Sequence, residues 1–232
     1  MERRGVTIVD TFAEAFDMRA ARVLITAHSA RWAHTAAQSM TGFATSVIGC
    51  KVEAGVEADV AAGSTPDGRR YWRIPVMEGE FLVQETFGVQ RAIGGGNFLI
   101  LAADAAAALA AAEAAVAVMR RTPGVILPFP GGIVRSGSKV GAKRYKKMIA
   151  STNDAYCPTL RGRWGVKSEL PDNVNAVLEI VVDGLDRAAI ERSMRAGIEA
   201  ACRPGIVEIT AGNYGGKLGK HHFHLHALMA TV

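Results

Sequence analysis

Val177-Leu178-Glu179-Ile180-Val181-Val182, followed by a helix from about Asp186 to Cys202 and then Pro204-Gly205-Ile206-Val207, decides the fold because the chain carries this pattern twice. The earlier copy runs Asn97-Phe98-Leu99-Ile100-Leu101-Ala102, an alanine-rich helix from about Asp104 to Arg121, and Pro123-Gly124-Val125-Ile126 before a Gly131-Gly132 turn. The later copy ends in a glycine-rich turn from Gly212. In each copy an apolar run reads as a buried strand, the next segment as a helix, and Pro-Gly as the break before the returning strand. Two βαβ halves in one sheet predict an α+β class and a ferredoxin-like sandwich over residues 76–232.

Working toward the N-terminus, Tyr71-Trp72-Arg73-Ile74-Pro75-Val76 and Glu78-Gly79-Glu80-Phe81-Leu82-Val83 read as strands punctuated by Pro75 and Gly79. Thr65-Pro66-Asp67-Gly68 is a turn signal, and a boundary is expected close by. Before it, Ala21 to Ala27 reads as a strand, Ser29 as an N-cap, Arg31 to Met40 as a helix and Thr45 to Cys50 as a second strand. A helix around Thr11 to Met18 is expected to precede this single βαβ unit. The expected domains are therefore 1–75 and 76–232.

Composition narrows the class without naming a function. With 49% hydrophobic and 21% charged residues over 232 positions, the chain is an ordinary folding sequence. Asp10, Glu14 and Asp17 interrupt any apolar stretch that an export signal would need, and Asp104 and Glu113 make Ala102 to Met119 too polar to span a membrane. Cys50, Cys157 and Cys202 form neither a CxxC pair nor a disulfide framework, so a reducing cytoplasm is the expected compartment. The net charge of +5 gathers partly at Lys139, Lys143, Arg144, Lys146 and Lys147, either a site for an acidic ligand or a solvated helix face. The strands lack paired aromatics that would read RNA, so no nucleic-acid partner is expected.

Glu179 is the residue that sequence alone singles out for chemistry. Aligning Asp104 with Asp183 sets it against Ile100, a carboxylate where the other copy has an aliphatic. A buried carboxylate tends to stay protonated near neutral pH, as a proton carrier needs, whereas an edge-strand glutamate would face solvent or pair with a lysine. The polar segment Ser151 to Thr159 either orients a ligand or builds turns. Glycine-rich stretches at 94–97, 131–132 and 212–217 would let backbone N–H groups approach a ligand. Gly132 to Lys139 fails as a phosphate loop because Ser138 separates Gly137 from Lys139 and Val140 replaces the hydroxyl residue. His222, His224 and His226 would share a strand face, but hydrogen-bonded neutral histidines are expected there rather than a metal site.

Many of these stretches occur together, and in the same order, in one family. Asp10 to Phe16, Ala21 to Ala27, Glu78-Gly79-Glu80-Phe81, Gly95-Gly96-Asn97-Phe98, Pro128 to Val134, Ser138-Lys139-Val140-Gly141, Ser151 to Thr159 and Gly212 to Gly219 resemble the formylmethanofuran:tetrahydromethanopterin formyltransferase family. The resemblance implies formyl transfer between a methanofuran-type amine carrier and N5 of a tetrahydromethanopterin-type pterin, both substrates rather than permanently bound cofactors. It implies that Glu179 is the catalytic acid/base. Asn97, Lys139, Asn153, Asp154, Tyr156 and Asn213 belong to the shared motifs, and substrate binding is expected of them. Family members carry an extra segment between the equivalents of Arg69 and Tyr71, so the first lobe is expected to be shortened to one βαβ half. The apolar sheet face this exposes implies a homo-oligomer or a place in a formyltransferase/hydrolase complex, in which a non-catalytic assembly role is the alternative.

Overall fold

A computed structural model of the chain describes residues 1–22, 25–26, 71–75, 77, 80–84, 88–135, 154–163, 165–217 and 219–230. The elements expected between Ser29 and Gly68, the lysine cluster at 139–147, and Asn153 lie outside these residues. In chain order the described strands are β1 (Glu2–Arg3), β2 (Val6–Ile8), β3 (Phe12–Arg22), β4 (Ile25–Thr26), β5 (Tyr71–Pro75), β6 (Glu80–Gln84) and β7 (Gly88–Ala102). Helix α1 (Ala105–Met119), β8 (Val125–Ile126), β9 (Ala176–Gly184), α2 (Arg187–Ala201), β10 (Ile206–Thr210), β11 (His221–His224) and α3 (Leu225–Ala230) complete them. The class is α+β. None of the described helices is long and apolar enough to cross a membrane.

Contacts divide the chain into two units, Met1–Met18 with Arg91–Val232, and Arg19–Gln90. In the smaller unit β6 lies antiparallel between β4 and β5, with Trp72 opposite Val83 and Ile25 opposite Val83 from the other side. In the larger unit the strands of the repeat run β8-β9-β7-β10, with α1 joining β7 to β8 and α2 joining β9 to β10. All three pairings are antiparallel. The N-terminal strands also enter this sheet: β2 pairs in parallel with β10, and β3 lies between β7 and β11.

Alternation along the strands gives the sheet one face packed on α1 and α2 and an opposite face with a separate cluster. Phe98, Ile100, Leu178, Ile180 and Val182 point toward α1 and α2, where they meet Ala108, Ala112, Ala115, Met119, Ile190, Met194 and Ile198 in the main core. The helices approach closely at Gly197, where a Cβ would run into the Met119 side chain and come within 3.2 Å of Phe98. Asp104 and Asp186 cap the two helices in the same way, each carboxylate accepting the N–H of the residue three positions on, from Ala107 at 2.9 Å and Ala189 at 2.8 Å.

Those matched caps correct the register of the repeat. Asp104 corresponds to Asp186, not to Asp183, so the counterpart of Glu179 is Asn97 rather than Ile100. The helix start, which is fixed by a hydrogen bond, aligns the copies better than the strand composition did.

The segment Thr11 to Met18 is a second correction. Phe12 to Arg22 forms β3, not a helix. Ala13 and Ala15 enter the helix-side core, which places Glu14 and Phe16 on the opposite face. The third correction is at the C-terminus, where the strand ends at His224 and His226 belongs to α3. The three histidines therefore do not form one strand face.

Candidate functional site

The face of the larger sheet opposite α1 and α2, free of α-helices among the described residues and called helix-free below, brings the described singled-out residues together. Glu179 pairs with Leu99, and Leu99 pairs in turn with Thr210, so these three form one row across β9, β7 and β10. Leu99 and Leu101 pack on this face with Leu170 and Val174, away from the helices. Glu179 is 8% exposed and lies in a continuous ladder, its backbone exchanging two 2.8 Å hydrogen bonds with Val134. This is a buried acid on the face of the sheet away from α1 and α2, rather than a solvent-facing edge residue.

The loop after β10 closes over this face. Asn97 Oδ1 accepts the Gly212 N–H at 2.9 Å, while Asn213 Nδ2 donates to Thr11 Oγ1 at 3.0 Å and to the Phe12 carbonyl at 3.1 Å. Glu14, only 3% exposed, lies beneath the loop and accepts three backbone N–H groups. Its Oε1 takes those of Tyr214, at 2.8 Å, and Gly216, and its Oε2 takes that of Gly219 at 3.2 Å. A Cβ at Gly219 would run into the Ala15 backbone, so the close approach needs glycine. The His222 ring fixes the loop from β11 by donating to the Gly219 carbonyl at 3.1 Å.

This arrangement changes the reading of the glycine-rich turn. Its Gly212, Tyr214, Gly215, Gly216 and Gly219 N–H groups are committed to Asn97, Glu14 and Asn213. The Gly95 N–H is likewise given to Asp183 Oδ1 at 2.9 Å, and that of Gly132 to the Phe129 carbonyl at 2.8 Å. These are internal anchors rather than donors facing a ligand.

The loop also carries Tyr214. Its phenol is half-buried within electrostatic reach of Glu179, Glu14 and Asp154, and its pKa is raised by burial first and then by those three carboxylates. Tyr214 and Glu14 were not marked as site residues by sequence; the alternation of Glu14 with Ala13 and Ala15 was the available signal. Asp154 opens the short turn Asp154–Tyr156 on the same side. The Tyr156 ring packs against the Leu99 cluster, and its hydroxyl bonds to Glu169 and Thr210. Burial first, and the Glu169 partner second, push its pKa above the ordinary phenol range.

The histidines have separate partners. His221 meets Asp17 at 2.8 Å, and His226 donates to the Ile8 carbonyl at 2.7 Å. Among the described residues no group of three or more His, Cys, Asp or Glu side chains is placed to hold a metal ion. A groove of about 250 Å³ beside α2 and α3, lined by Arg187, Arg192, Arg195 and His224, does not include Glu179. Arg187 there is already bonded to Glu191 and to the His222 carbonyl, both at 2.7 Å.

Comparison with known proteins agrees along the whole chain. Residues 1–85 match the family model described as formylmethanofuran-tetrahydromethanopterin formyltransferase, and residues 79–228 match that of the FTR proximal lobe. The chain is 48% identical over 297 residues to a formylmethanofuran--tetrahydromethanopterin formyltransferase of Methylococcus capsulatus, covering 97% of this chain and 99% of that one. With 232 residues, it lacks residues that this relative carries. The solved formylmethanofuran:tetrahydromethanopterin formyltransferase of Methanosarcina barkeri superposes with a TM-score of 0.81 at 39% identity, over 98% of this chain and 100% of that one. A chain of the formyltransferase/hydrolase complex of Methylorubrum extorquens, solved with methylofuran, gives 0.77 at 42% identity over 99% and 98%. The chain belongs to the formylmethanofuran–tetrahydromethanopterin formyltransferase family.

Proposed function

We propose that this chain is an N-formyltransferase that moves a formyl group between the amine of a methanofuran-type carrier and N5 of a tetrahydromethanopterin-type pterin. The observation that carries the reading is a buried carboxylate, Glu179, on the helix-free face of a chain so similar to named formyltransferases. Formyl transfer moves one acyl group and one proton between two nitrogens. The lone pair of the attacking nitrogen forms the new C–N bond, and the old one breaks from the tetrahedral intermediate. Glu179 gives a proton to the leaving nitrogen and recovers one from the attacking nitrogen, so the protons balance over the cycle.

The finer architecture is part of the proposal. The strand order β8-β9-β7-β10, with a helix in each crossover, supports a ferredoxin-like lobe at 76–232. The residues that the relative carries and this chain lacks support a first lobe, 1–75, reduced to one βαβ half. Of the residues expected to bind substrate, Asp154 lies near Tyr214, whereas Asn97, Tyr156 and Asn213 shape the surroundings; Lys139 and Asn153 complete the proposed set. The Methylorubrum structure supports membership of a formyltransferase/hydrolase assembly, with C1 carriers as the small-molecule partners; a cytoplasmic location is part of the same proposal.

The test is an assay of the purified chain, alone and in its assembly, for formyl transfer to the pterin in both directions. Transfer is expected. No transfer in either setting would favour a non-catalytic assembly subunit.

A further inference from the structure

We infer that Tyr214 is a further catalytic residue: with its backbone N–H anchored on Glu14, its phenol O–H donates a hydrogen bond to the formyl oxygen as that oxygen becomes an oxyanion. The inference rests on the formyl-transfer reading and adds to it the group that receives the developing charge.

Attack on a formamide carbon places a negative charge on oxygen, and a preorganised donor lowers that barrier. In the glycine-rich turns the N–H groups of Gly95, Gly132, Gly212, Tyr214, Gly215, Gly216 and Gly219 are already committed to Asp183, Phe129, Asn97, Glu14 and Asn213. Around Glu179 the other groups that act on Tyr214 are carboxylates, Glu14 and Asp154, which when ionised only accept. The phenol is the neutral donor among them. Those carboxylates and burial also raise its pKa, so the phenol keeps its proton in the working range.

The anchoring is what makes the donor preorganised. Asn97 from β7, Glu14 from β3 and His222 from β11 all bond the backbone of the loop, on either side of Tyr214. During the reaction the nitrogen lone pair forms the C–N bond and the carbonyl π pair moves to oxygen, where it accepts from Tyr214. On collapse that pair restores C=O, and the bond to the leaving nitrogen breaks as Glu179 supplies its proton. Tyr214 keeps its own proton throughout.

The experiment compares Tyr214→Phe and Glu179→Gln with the unaltered chain in its assembly. Losing one oxyanion donor costs roughly 100-fold or more in kcat, with little change in KM. A kcat within about twofold of the unaltered protein, while Glu179→Gln abolishes transfer, overturns the inference and leaves the formyl-transfer reading standing. An inactive unaltered protein removes both. A readout independent of activity is the fluorine-19 titration of 3-fluorotyrosine placed at position 214. In the Glu179→Gln background it is expected to titrate at lower pH, and an unmoved titration contradicts the placement.

Discussion

The Glu14 carboxylate accepts the Tyr214 N–H at 2.8 Å, joining a strand near the N-terminus to the loop that follows β10. Glu14→Ala removes the acceptor of three backbone donors, which is expected to lower stability by about 2 kcal/mol. Because the loop carries Tyr214, kcat is expected to fall more than KM rises, and Glu14→Gln should recover part of it. Thermal melts read beside steady-state kinetics check this; a stability loss with unchanged kcat would make Glu14 only structural.

Asp104 and Asp186 make the same capping bond to the residue three positions later. Alanine at either is expected to cost about 1 kcal/mol, as loss of an N-cap usually does. Asp183, whose partner is the Gly95 N–H in the middle of β7, caps no helix. Urea unfolding of Asp104→Ala and Asp186→Ala would show comparable losses, and an effect at one position alone would contradict the shared cap.

Cys202 is 1% exposed, and burial first and the Glu199 charge second push its thiol up to about 11 from 9.0. A raised value means that the folded chain holds this proton more tightly than the unfolded chain does. The stabilisation is therefore intact below the ordinary thiol value and is lost as pH rises toward the folded one. The stability difference between the parent and Cys202→Ala is expected to narrow across that window. At about pH 8 iodoacetamide should leave Cys202 unmodified in the folded protein. Rapid native labelling would contradict its burial.

The parts legible in sequence were those whose signal is local and repeated. Phe98, Ile100, Leu178 and Ile180 announced buried strands, and the Pro-Gly breaks marked the ends of both helices. Glu179 stood out as an acid in an apolar run. Thr11 to Met18 misled because Ala, Glu and Met favour helices and the phenylalanines fall four apart; pairing with β11 overrides that propensity. Glu14 was lost inside that misreading, and Tyr214 with it, since their relationship spans most of the chain. The repeat was visible but three residues out of register, because apolar strand residues are interchangeable and a capping bond is not.

The central claim, that Glu179 carries the proton between the two nitrogens, is tested most directly by Glu179→Gln assayed for formyl transfer in both directions. The substitution keeps the shape of the side chain and removes its proton exchange, so kcat is expected to fall by about 100-fold or more in each direction while folding is retained. Unchanged kcat in a folded Glu179→Gln protein would contradict the assignment.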